Sequence, residues 1–166
     1  MRRYGGCQQG SILVMTVLFL PVMVMALGMV TDLGVLLVAR RAAYGAADMA
    51  ALAAVQEVDL ESLSGGVISL KSGAAQAAAL EWARTNLASM FPSWPAGYQP
   101  QVNVRVYNAT PSGPSFHSGN GRRLEYPTVC VSLQVPVSLP FYVGPSRVLM
   151  VPAHADASVV PRPGGG

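Results

Sequence analysis

The chain has 166 residues, 51% of them hydrophobic and only 11% charged, with a formal net charge of +3. That length leaves room for one domain and an anchor, and so apolar a balance excludes an ordinary soluble domain and points to a membrane segment or a secretion signal. The basic residues are scattered as Arg2-Arg3, Arg40-Arg41 and Arg122-Arg123, without the dense, aromatic-interleaved stripe that nucleic acid requires, so no nucleic-acid partner is expected.

Residues 1–10 read as a short cytoplasmic tail. Its Cys7 is not a lipid-attachment site, because lipidation needs an apolar run before the cysteine and here the run follows it. From Tyr4 to Thr31 there is no charged side chain. Residues 11–31 are expected to form a transmembrane helix, since about 20 residues at roughly 1.5 Å rise span about 30 Å, the thickness of a hydrocarbon core. Pro21 lies inside the run, where a membrane helix tolerates it as a kink, and Gly28 is read in the same way. The rival reading is a cleavable signal peptide, with a mature N-terminus near Met29. Signal cores ordinarily run about 7 to 15 residues, and here the helical pattern continues further, so retention is preferred. Arg2 and Arg3 favour an internal N-terminus and Arg40 and Arg41 oppose it; a short internal tail with an exported C-terminal domain is the arrangement adopted.

Residues 32–57 contain no proline and are dominated by alanine, the strongest helix former, so they are expected to continue the span as a stalk. At about 100° per residue, Ala39, Ala42, Ala46, Ala50 and Ala53 fall on one stripe, with Arg40, Arg41, Tyr44 and Asp48 opposite. Small residues allow another helix to approach closely. That helix is either the protein's own second helix or a partner's. Residues 58–160 form an α+β extracytoplasmic domain. Within it "SLSGG" predicts a turn, Lys71 to Met90 a second alanine-rich helix, and "FPSWPAGYQP" its end. Two segments then alternate with period two: "QVNVRVYN", carrying Val102, Val104 and Val106, and "TVCVSLQVPVSL", carrying Val129, Val131, Leu133, Val135 and Val137. A third, Val148 to Val160, is expected to be broken by Pro152. The intervening "ATPSGPSFHSGNGRRLEYP" reads as an exposed loop, and residues 161–166 as a flexible tail.

No constellation for chemistry is apparent. Two cysteines, Cys7 and Cys130, make no disulfide framework and have no metal-ligand spacing. His117 and His154 have no carboxylate or cysteine at a useful separation along the chain and are read as solvated or structural. "SGNGRR" lacks the ending of a phosphate loop. No catalytic residue, metal set or cofactor is assigned, and an enzyme is not expected.

The order of features around the span is informative. Gly10-Ser11 opens the apolar run with its central Pro21. Then follow Asp32-Leu33-Gly34, Arg40-Arg41, Ala46-Ala47-Asp48 and Ala50-Ala51-Leu52-Ala53-Ala54. This order resembles the N-terminal region of TadG-like (TadE/TadG-like) proteins of the Tad, or Flp pilus, tight-adherence system. The resemblance covers about the first 55 residues. It implies a pilin-like fold of a long transmembrane and stalk helix, a second helix and a small antiparallel sheet. It also implies a structural or assembly role in pilus biogenesis and adhesion, in the bacterial inner membrane with the C-terminal domain outside the cytoplasm. Partners would be the lipid bilayer, other Tad assembly or pilin subunits, and a further copy of the chain. Asp32, Gly34, Arg40, Arg41, Ala42, Ala46, Asp48 and Ala50 become the helix-packing and assembly residues, and Gly10-Ser11 the position of a processing site. Two departures matter. The metal-binding D-x-S-x-S of larger TadG-like adhesins is missing, and Met15 stands where type IV-like prepilins carry a glutamate, a charge that would be costly in lipid and so functional. The chain is therefore expected to stay in the membrane rather than polymerise; the alternatives are a minor pilin cut after Gly10 and a secreted binding protein.

Overall fold

The structure is a computed structural model that describes residues 8–142, 144 and 147–161. Residues 1–7 of the tail expected over 1–10, with Cys7, and all but the first residue of the expected C-terminal tail lie outside them, while residues 8–10 already belong to the first helix.

One helix, α1, runs unbroken from Gln8 to Ala54, 47 residues, with Pro21 inside it. At about 1.5 Å per residue that is roughly 70 Å of rod. It ends at Ala54, three residues before the expected stalk boundary, in a turn in which Gln56 N–H donates to Ala53 O and Glu57 N–H to Ala54 O. The expected turn at "SLSGG" contains a five-residue helix, α2 (Leu60–Ser64), whose N-cap Asp59 accepts from Glu61 N–H at 3.2 Å and from Ser62 Oγ at 2.7 Å. The second long helix, α3 (Ser72–Met90), stops where Pro92 and Pro95 follow.

The sheet is antiparallel in the order β1 (Gln101–Tyr107), β4 (Thr128–Ser138), β5 (Val148–Ser158), and a two-stranded hairpin, β2 (Ser115–Phe116) with β3 (Arg123–Leu124), lies between β1 and β4 in sequence. This α+β arrangement agrees with the sequence, with two differences. β5 passes through Pro152 unbroken: it is an edge strand, so the missing N–H of Pro152, opposite Gln134, need not enter a ladder on the open side. Pro136 is tolerated for a related reason, because β1 pairs with β4 only as far as Gln134. The second difference is the loop of residues 109–127, where the hairpin folds back and buries His117 and Leu124.

The core lies between the C-terminal half of α1, α3 and one face of the sheet. Val129, Val131, Leu133, Val135 and Val137, the period-two positions of β4, are all buried, as are Val151, Ala153 and Ala155 of β5. From the helices come Ala75, Ala79, Ala83 and Leu87 at four-residue spacing, and Ala39, Ala43, Ala46, Ala47, Ala50, Ala51 and Ala54. The buried arc of α1 is broader than the single stripe expected, and Ala42 and Ala53 are only half-buried. α1 packs against both α3 and the β4–β5 face, and two partners shield a wider arc than one.

Candidate functional site

The N-terminal part of α1 is apolar on every side, and from Ile12 to Leu27 nothing among the described residues of the domain covers it. Fifteen large apolar side chains from Ile12 to Val30 stand exposed, Met15 among them at 60%. Transfer out of water is worth about 1.5–3 kcal/mol for each such side chain fully buried, on the order of 20 kcal/mol together, so this surface is unsuited to water. The helix is long and apolar enough to cross a membrane.

At the end of that stretch the domain touches the helix again. The Asp32 carboxylate, 8% exposed, accepts from Phe141 N–H at 3.1 Å. One turn earlier, a Cβ on Gly28 would sit 3.0 Å from the Phe141 side chain, so glycine there permits the close approach. Phe141 and Tyr142 are themselves 55% and 45% exposed beside this junction. The strand β4 thus ends in a segment that braces the helix at the border between its bare and its packed halves.

The remaining predicted assembly residues divide three ways. Ala46 and Ala50 are fully buried in the domain core, where their small size lets α3 and the sheet approach. Gly34 and Ala42 line a groove of about 590 Å³, closed on its other sides by Phe91, Trp94 and Val137. Arg40, Arg41 and Asp48 face solvent, Arg40 resting 5.6 Å from the centre of the Tyr44 ring. Gly10 and Ser11 lie within α1.

A second cluster, which sequence reasoning missed, occupies the outer face of the sheet. The register sets Cys130 opposite Asp156 and Ser132 opposite His154 on β5, with Arg105 and Asn103 their neighbours on β1. The hairpin folds over this face and lowers His117 onto it. Asp156 is the hub: its Oδ1 lies 2.9 Å from His154 Nε2 and 3.4 Å from His117 Nε2, and its Oδ2 lies 3.6 Å from an Arg122 guanidinium nitrogen. Ser132 Oγ is 2.9 Å from His154 Nδ1. His117, 5% exposed, is therefore neither solvated nor in an open loop. Its Nδ1 accepts from the N–H groups of Gly119 (3.0 Å) and Asn120 (3.3 Å), whereas its Nε2 is buried without a hydrogen-bond partner. Burial, then hydrogen bonding to Asp156 and its charge, push the Cys130 thiol up to about 12. Hydrogen bonding to Ser118 lowers the Tyr107 phenol below its ordinary value. A cavity of about 480 Å³ opens over the cluster. Along the chain His117 and Cys130 are 13 positions apart and Cys130 and Asp156 are 26 apart, and the one hint was that His154 and Asp156, two apart on a strand, share a face.

α1 thus passes unbroken from a bare apolar surface into an alanine-packed core. Residues 10–57 match the Tad family model of TadE/G-like Flp pilus-assembly proteins. This is the family the sequence resembles, and the matched region is α1 from Gly10 onward plus the turn that follows it. The Tad region includes Asp32, Gly34, the Arg40-Arg41 pair and the buried alanines, and supports a pilus-related role. The sheet and its polar cluster lie beyond it. No curated protein and no solved structure matches the chain.

Proposed function

We propose that this chain is a membrane-anchored structural component of a Tad (Flp) pilus assembly system. Residues 11–31 cross the bacterial inner membrane once and the α+β domain stands on its extracytoplasmic side, supporting pilus biogenesis and adhesion. One observation carries the reading: the same helix that the Tad match covers is bare and apolar from Ile12 to Leu27 and is held in the domain core from Ala39 to Ala54. The bilayer covers the first part. Exposed Phe141 and Tyr142 beside Gly28 and Asp32 then stand where aromatic side chains favour the membrane–water interface. The wet edge with Arg40, Arg41 and Asp48 remains for other Tad subunits or a second copy. Met15 keeps the span free of charge, which favours residence in lipid over extraction into a fibre.

Membrane fractionation combined with piliation tests this. The chain should resist alkaline carbonate extraction, and its intact mass should include Met1 to Gly10. A strain lacking it should lose surface pili and regain them with the full-length chain. Release by carbonate, or unchanged piliation without the chain, refutes the proposal; a mass beginning at Ser11 assigns the protein to the fibre instead.

A further inference from the structure

We infer that the outer face of the sheet is a zinc-binding site, with His117 Nε2, Cys130 Sγ and the Asp156 carboxylate as ligands and a fourth position left to water from the adjoining cavity. The candidate ligand atoms all lie within 4.8 Å of one another. Zinc–nitrogen and zinc–oxygen bonds of about 2.0–2.2 Å and a zinc–sulfur bond of about 2.3 Å place tetrahedral ligands roughly 3.4–3.7 Å apart, so small side-chain movements complete the set. The 3.4 Å separation of His117 Nε2 from Asp156 Oδ1 already meets it. Nitrogen, sulfur and carboxylate oxygen together suit zinc better than the oxygen-seeking calcium or magnesium.

The second observation is independent of the clustering. A histidine ring 95% removed from water turns one nitrogen towards a thiol and a carboxylate, and that atom makes no hydrogen bond, its closest polar approach being the 3.4 Å to Asp156 Oδ1. Buried polar atoms are ordinarily satisfied, and one that is not calls for a missing partner. The surroundings also resemble support for a ligand set. His154 Nε2 and Arg122 hold the two oxygens of Asp156, and Ser132 in turn fixes the His154 ring. These are positioning residues of the kind that orient ligands from behind.

Proton bookkeeping gives the site a signature. The amides of Gly119 and Asn120 both donate to His117 Nδ1, so the ring proton sits on Nε2. Coordination needs the Nε2 lone pair. The ring proton must move to Nδ1, and the two amides must release that atom, while the thiol proton leaves for solvent as the Cys130–zinc bond forms. The turn can yield, since Gly119 and Gly121 flank Asn120 and Gly121 adopts a φ of 68°. Binding should therefore fix the side chains and loosen the amides of residues 119 and 120.

The test uses the full-length, untagged chain in detergent, stripped with a chelator and titrated with Co²⁺ and then Zn²⁺. The expected result is one ion per chain, a sulfur-to-cobalt charge-transfer band that Zn²⁺ abolishes, and faster amide exchange at residues 119 and 120 with Zn²⁺ bound. Cys130→Ser should remove the band, and the half-exposed His154→Gln should weaken binding about 10–100-fold with the fold retained by circular dichroism. A folded wild-type chain without the cobalt band overturns the proposal, and so does binding that His154→Gln and Cys130→Ser leave unchanged. The readout is ion binding by the purified chain, so it stands or falls separately from the pilus role.

Discussion

Replacing Ala46 by leucine tests the central packing claim. Ala46 is fully buried, as are its neighbours Ala43, Ala47 and Ala50 and the facing-helix residues Ala75, Ala79 and Ala83. A leucine adds three carbons to a fully buried site in a helix–helix contact built of alanines, which closes too tightly to take them without shifting. Overpacking of this kind costs about 1–3 kcal/mol, and the crowding by alanines favours the upper half of that range. For a domain of this size, roughly 4 °C of melting temperature accompanies each kcal/mol, which gives a fall of about 4–12 °C. The matched control is Tyr44→Leu on the more exposed side, which keeps an apolar side chain there and forfeits the contact with Arg40, about 0.5–1 kcal/mol. Thermal unfolding in detergent, followed by circular dichroism, measures both, and membrane abundance is scored beside surface pili. Ala46→Leu should lower melting temperature and abundance together. A fall of less than about 2 °C would refute close packing at the stripe. Normal stability with lost piliation would instead show that Ala46 meets a partner.

Two further outcomes follow from the junction and the sheet. Asp32→Ala should cost about 1–3 kcal/mol by leaving the Phe141 amide without its acceptor, and should expose the segment after β4 to protease while α3 stays protected; unchanged proteolysis would show that the brace is idle. Cys130 is 4% exposed, so an impermeant maleimide applied to intact cells with a permeable outer barrier should label it only after mild denaturation, and from the outside; labelling only after the inner membrane is lysed would invert the topology.

Much of this architecture was legible because it rests on short-range periodicity. The five alternating residues from Val129 to Val137 point to one face because strand side chains alternate, and no tertiary context altered them. α3 was expected over Lys71 to Met90 and spans Ser72–Met90, ending for the equally local reason that prolines follow Met90. What tertiary contact decides was less visible. The alanine stripe was displaced, with Ala43, Ala47, Ala51 and Ala54 buried and Ala42 and Ala53 only half-buried, because α1 faces two neighbours and a single helical period describes only one. Pro152 was read as a breaker since its edge position depends on strand order. The Cys130–Asp156–His117 cluster was invisible in spacing, because two strand registers and a folded-over hairpin assemble it. The Tad region, by contrast, was recognised from residue order alone, and Asp32 acquired a physical role only when Phe141 was seen to reach it.

The uninterrupted α1 also makes the domain a load on a stiff arm. No glycine-rich or proline-rich joint separates the bare and packed halves; Pro21 lies inside the bare half itself. From there to Ala54 is about 33 residues, or roughly 50 Å of rod. A change of about 10° in the helix direction at Pro21 would swing the far end by about 9 Å, a lateral displacement close to the width of a helix. In the proposed membrane-anchored arrangement, small tilts of the span would be geared up into large movements of the domain, and a neighbouring subunit gripping Arg40, Arg41 or Asp48 would hold the arm partway along its length.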